Sequence, residues 1–320
     1  MLNDHSLVLG GVIATAALLG ACAGGAIGDG NGEARAGTSF DGPDFGGPDF
    51  GAFDGGVEDA EVSGETAQGA EEPNSPGTTP PGDGDEPERP WADNTGYSGS
   101  LTSYAGPGTI TEDGATYTDF SSSSTIVVDA DNVTLSNFLI TTDGRYGIQI
   151  VPGHSGIVIE DGEIRNASSA GILGVGFTGS RLYIHEMGGD GMKTQGSGGP
   201  TLVEYSFIEK IGTNVDSHAD CNQISTYGSN ITFRYNNCWI PTPTVSPYHS
   251  NAAFMNGSSS SISNYVIEHN WLNGGNYTIY GRPGISVRNN LFGGDYRYGI
   301  KSGSFSEWSG NRSEDTGEPL

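Results

Sequence analysis

The sequence predicts an all-β protein whose folded part, residues 94–320, is a right-handed parallel β-helix of about seven coils. Three observations predict it. Glycine supplies 53 of the 320 residues, and Ser, Thr and Asn dominate much of the rest. That mixture starves helices and suits short strands joined by tight turns. An apolar–any–apolar triplet, followed five positions later by another apolar residue, recurs along the chain. It appears as Val133, Leu135, Ile140; Ile157, Ile159, Ile164; Ile231, Phe233, Cys238; Tyr265, Ile267, Leu272; and Ile285, Val287, Phe292. Partial copies stand at Leu182, Ile184 and at Val203, Ile208. A second short strand lies between these units, at 146–149, 170–173, 190–193, 220–223, 251–254, 277–280 and 298–301. Two short strands in every twenty to thirty-four residues, roughly, leave no room for a crossover helix, and stacking coil on coil buries the repeated positions in one continuous core.

Taken in order, residues 1–22 read as a lipoprotein signal peptide. Leu7 to Ala21 is an apolar run too short to span a bilayer, and it ends in Leu19-Gly20-Ala21-Cys22. That ending looks like a lipobox, which makes Cys22 the lipidated residue and the membrane a partner through the lipid anchor. The expected location is the bacterial cell envelope, in the periplasm or at the cell surface, with plain secretion as the alternative. Met1 to Ser6 departs from the usual signal in carrying no Lys or Arg.

Residues 23–93 read as a disordered, acidic Gly/Pro-rich linker. About seventeen carboxylates there face only Arg35 and Arg89, so the segment holds roughly fifteen of the −26 net charges. Such a composition cannot bury enough apolar surface to offset chain entropy. The remaining domain is only mildly acidic and carries no basic patch, which excludes nucleic acid as a partner. Nothing marks an oligomer surface, so the chain reads as a monomer.

Residues 94–120 have strand and turn character and are expected to cap the first coil, while 308–319 cap or trail from the last. Asn137, Asn236, Asn237, Asn270, Asn289 and Asn290 suit stacked side-chain ladders and left-handed turns. Cys221 and Cys238 could form a disulfide or stay as two buried thiols; neither has zinc-ligand spacing.

Four motifs carry a resemblance: Asn94-Thr95-Gly96, Asp190-Gly-Met-Lys193, His218-x-Asp220-x-x-Gln223 and Asn270-Trp-Leu-Asn-Gly-Gly275. With them, residues 94–320 resemble the secreted right-handed β-helix proteins of the pectate-lyase-like superfamily. Cys221 departs from the glycine usual at its position. The resemblance implies the β-helix fold and a carbohydrate-directed function. The superfamily spans lyases, hydrolases, epimerases, adhesins and inert spikes, so it implies no single activity.

Aligning the second strands predicts an outward ridge of Gln149, Leu173, Lys193, Gln223, Phe254, Tyr280 and Lys301. Beside it runs an outward floor of small residues, Gly147, Gly171, Gly191, Cys221, Ala252, Thr278 and Gly299. Flat rings that stack and amides that meet hydroxyls suit a sugar chain. The candidate substrate-binding residues are therefore Gln223, His249, Phe254, Tyr280, Arg282 and Lys301. His218 and His249 occupy equivalent places, as do Asp190, Asp220 and Asn251. Stacked carboxylates need a counter-charge, a proton or a cation, so Asp190 and Asp220 are candidate Ca²⁺ ligands. Lys193, His218, Asp220 and Arg234 are the candidate catalytic residues for β-elimination on a uronic-acid polymer. The alternative is a non-catalytic glycan-binding or structural module. A hydrolase or a C5-epimerase ranks third: the polygalacturonase motifs Asn-Thr-Asp, Gly-His-Gly and Arg-Ile-Lys are missing, and epimerisation at C5 would use much the same groups as elimination.

Overall fold

The computed structural model describes residues 87–241, 248–257 and 261–320. The expected signal peptide with Cys22 and the expected linker up to residue 86 lie outside the described residues. The chain winds through a right-handed parallel β-helix, with no helix among the described residues. One face stacks nine strands, one per coil: Thr109–Ile110, Ile126–Val128, Tyr146–Ile150, Ala170–Leu173, Asp190–Lys193, Ala219–Ile224, Ser250–Asn256, Tyr277–Gly281 and Gly299–Gly303. We number the coils 1 to 9 by these strands. The seven expected coils are all present, and two more precede them in the stretch expected to be partly a cap. Trp308 belongs to coil 9 and does not trail from it.

The other two faces begin as single bent strands, Thr116–Ser122, Thr134–Thr141 and Ile157–Arg165. From coil 4 onward each splits in two, as in Phe177–Ser180 with Tyr183–His185 or Tyr227–Arg234 with Asn237–Ile240. The bend is one residue in the left-handed region on every coil: Asp119, Asn137, Asp161, Arg181, Tyr205, Tyr235, His269, Asn289 and Gly310. Asp, Asn and Gly adopt that conformation cheaply, whereas Arg and Tyr do not. Stacking compensates some of them, with Tyr205 on Tyr235 and Tyr235 on His269, both at 5.3 Å.

On coils 5 to 9 the residue after the bend builds a buried ladder. Asn236, Asn270 and Asn290 each donate a backbone N–H to the Oδ1 of the asparagine one coil on, ending at Asn311, at 2.9–3.0 Å. Their side-chain amides reach the carbonyls of Val203, Phe233 and Ile267. Ser206 extends the ladder to Leu182. Every repeated apolar position is buried, and Cys221 and Cys238 form a disulfide across the interior of coil 6.

Residues 89–98 are a strap along the outside. Arg89 pairs with Glu314 on coil 9 and lies over Trp91, Trp239 and Trp271 at 4.6, 5.6 and 5.9 Å. Trp91 meets Phe207 at 5.4 Å. Gly96 N–H bonds Arg181 on coil 4 at 2.9 Å, and Ser98 N–H bonds Asn137 on coil 2 at 2.8 Å. The linker expected up to residue 93 thus gives way to packed structure by Arg89. The Asn94-Thr95-Gly96 motif makes its turn, since Asn94 and Thr95 bond the backbone of Trp91.

Candidate functional site

The corner where the third face turns into the first is open on coils 4 to 6. It forms a groove of about 440 Å³ lined by Ser168, Ser169, Gly189, Asp190, Lys193, Asn214, Asp216, Ser217, His218 and Gln223. Strand register brings the predicted residues there: Ala170, Asp190 and the Asp220 strand are stacked neighbours. Consecutive coils lie about 4.8 Å apart.

Lys193 sits at the centre. Its Nζ is 2.6 Å from Asp190 Oδ2 and donates to Gln223 Oε1 at 2.7 Å. Asp190 Oδ1 accepts the Asp220 backbone N–H at 2.8 Å. Asp220 is fully buried and accepts amide protons from Asn251 at 3.0 Å and Gln223 at 3.2 Å. Asn276 continues the row by donating to Asn251 Oδ1 at 3.2 Å. Burial, with the Asp190 charge beside it, holds the Asp220 carboxyl well above the ordinary carboxylate range. Burial pushes Asp190 up too, against the pull of Lys193. His218 is exposed at the groove edge, and His249 stands beside it on the next coil, outside the lining.

Tyr280 lies on the same face, half-buried, with its phenol pushed up to about 12 chiefly by burial and then by Asp220. It touches Tyr277 at 5.5 Å, and Tyr277 meets the exposed Tyr298 at 5.7 Å. Arg282 follows on the turn after that strand, half-buried and outside the groove lining.

Four expected side-chain positions need correction. Phe254 is not on the ridge: it is buried and packs edge-on against Phe233 and Tyr265. The cause is one extra residue, Asn251, in its strand, so that Ala219 pairs with Ser250 but Asp220 with Ala252. A one-residue slip turns every later side chain to the other face, and Met255 takes the ridge position beside Gln223. A similar slip puts Lys301 opposite Ile279, at the open end of the helix, with its Nζ 3.9 Å from the Trp308 ring centre. Arg234 lies on the second face, bound to Glu204 at 2.7–2.8 Å, because the next strand of a coil faces another way. The small-residue column faces inward: a Cβ on Gly171 would stand 2.8 Å from the Ile184 methyl, and Cys221 in that column bonds Cys238.

Asp190 and Asp220 do not fit a Ca²⁺ site. That ion takes about six to eight oxygen ligands. Here the Lys193 ammonium already occupies the place of a cation, and the other carboxylate oxygens accept N–H donors. Among the described residues no three His, Cys, Asp or Glu side chains converge for a metal.

The sequence reading missed Ser168, Asn214, Asp216 and Ser217. A signal was available in the coil lengths, because Asp190 to Asp220 spans 30 residues and Tyr146 to Ala170 only 24. The extra length is the 212–218 loop that walls the groove. No family model, curated protein or solved structure matches the chain.

Proposed function

We propose that the chain is a surface-anchored polysaccharide lyase acting by β-elimination on an acidic glycan. The observation that carries this reading is the convergence of Lys193, Asp190, Gln223 and His218 on one groove over a buried Asp220. Titratable groups displaced from their ordinary range and gathered in a cleft favour chemistry over passive binding. The resemblance to the pectate-lyase-like superfamily supports the same reading.

In the proposed reaction Asp190 positions the Lys193 ammonium, which neutralises the uronate carboxylate and so acidifies the C5 proton. The imidazole of His218, at the groove edge, takes that proton. The electron pair of the C5–H bond becomes the C4=C5 double bond, the C4–O bond breaks, and the leaving oxygen takes a proton from water. Gln223, held by Asp220 and Lys193, orients the ring hydroxyls. Hydrolysis by Asp190 and Asp220 as an acid–base pair is disfavoured, because Asp220 has no access to substrate.

The test is absorbance of the unsaturated uronate product when the purified chain meets a panel of polyuronates. Product is expected, unchanged by EDTA. Lys193→Met or His218→Ala should each lower the rate by roughly a hundredfold or more with the circular dichroism of the fold retained. Full activity in both variants removes this site assignment. No product on any polymer leaves the second reading, a non-catalytic glycan-binding module, which the exposed Tyr298 beside Tyr277 favours. The anchor rests on Leu19–Cys22. Cys22→Ser should move the chain from the membrane fraction to the soluble one, and an unchanged distribution would overturn the anchor.

A further inference from the structure

A second hollow, of about 570 Å³, opens on coils 1 and 2, on the same corner of the coil as the groove but beyond coil 3. It exists because Thr102–Ser103 pairs on the third face with Phe120 and Ser121, after which the chain must cross to Thr109–Ile110 on the first face. The crossing segment arches over the corner at Ser121 to Thr125 and leaves space beneath. Its volume lies within the range of about 300–1,000 Å³ usual for small-molecule sites.

The lining has a chemistry of its own. Among the described residues it contains no Asp, Glu, Lys, Arg or His, although the chain carries a net charge of −26. Instead it presents hydroxyls and one aromatic wall. Ser103 and Ser123 make no side-chain hydrogen bond within the described protein, so their hydroxyls are available to a ligand. Tyr104 is fixed from behind by Phe120 and Tyr117, at 4.9 and 5.3 Å, and its phenol is tied back to the Pro107 carbonyl at 3.1 Å. Gly106 packs against the phenol end, and the rest of the ring borders the hollow.

We propose that this hollow binds an uncharged sugar residue, with the Tyr104 ring against the pyranose and the serine hydroxyls on its hydroxyl groups. A charged ligand would meet no counter-charge there, and an apolar one would strand the hydroxyls without partners. The site is independent of Lys193 and goes beyond the proposed lyase activity. A polymer engaging both would carry neutral as well as acidic residues.

The experiment is titration calorimetry of the full chain with neutral oligosaccharides of glucose, xylose, galactose and mannose, alongside an oligogalacturonate. At least one neutral oligosaccharide should bind. Ser123→Trp, which fills the hollow from an exposed turn, should weaken that binding about tenfold or more, and Lys193→Met should leave it unchanged. Tyr104→Phe, which keeps the ring, should bind as the parent does. No neutral ligand bound, or binding indifferent to Ser123→Trp, overturns the proposal. Loss of neutral binding in Lys193→Met would assign it to the groove instead. None of these results depends on turnover, so failure of the lyase reading would be seen separately.

Discussion

Two polar columns run along this solenoid, and they are built on opposite principles. The column at Ser206, Asn236, Asn270, Asn290 and Asn311 is almost entirely amide; each member before the terminal Asn311 bonds the next side chain, and every member bonds a backbone group of the preceding coil. The column at Asp190, Asp220, Asn251 and Asn276 starts with two carboxylates stacked on adjacent coils, balanced by a single lysine. An amide column is neutral, so burial costs only desolvation, which matched hydrogen bonds offset. A carboxylate column adds charge to the same burial and displaces both acids from their usual range. Stability alone favours amides throughout. The acidic stretch coincides with the groove that holds Lys193 and His218, which is where chemistry gains from strained ionisation.

The contrast can be broken at its strong end first. Asn270→Ala leaves the N–H of Asn236 and the carbonyl of Phe233 buried without partners. Chemical denaturation should show a loss of roughly 3 kcal/mol. A loss below about 1 kcal/mol would mean that water or relaxation replaces the ladder, and the distinction between the columns would fail.

The acidic column should respond with the opposite sign. A carboxyl whose folded-state pKa is raised contributes stability that is complete below the ordinary value of about 4 and is lost as pH rises through the folded value. Melting temperature should therefore fall with rising pH above about 4 in the parent chain and fall less in Asp220→Asn. At neutral pH the variant should be more stable by roughly 1 kcal/mol, a gain limited by the new amide facing Gln223. Parallel pH curves for the two proteins would show that Asp220 is not displaced.

The amide column was readable from the sequence, because asparagines spaced like the apolar repeat suit a stacked coil either as ladder rungs or as left-handed bends. Asn236, Asn270 and Asn290 are where that logic puts them. The acidic column was half readable. Asp190, Lys193, His218 and Gln223 were grouped by aligning strands, and the groove gathers them. Alignment by signature failed where coils are unequal: the extra Asn251 turned Phe254 inward, and the last coil slipped Lys301 to the helix end. Register in a parallel sheet is decided by backbone pairing and bulges, which short motifs do not encode. The inward turn of Gly147, Gly171 and Gly191 was hidden for a related reason. Small residues look alike whether they open a surface or make room for Ile164, Ile184 and Ile208 behind them.

The strap has a consequence for how the molecule is made. In a simple solenoid each coil depends on its neighbours alone, so coils can form as they emerge from the ribosome and fray from either end. Here Arg89 and Trp91 emerge before any coil exists, yet their resting places are Trp239, Trp271 and Glu314. The earliest described segment to be synthesised is thus among the last to dock. It fastens coil 9 to coil 2 and converts a row of pairwise contacts into a closed circuit.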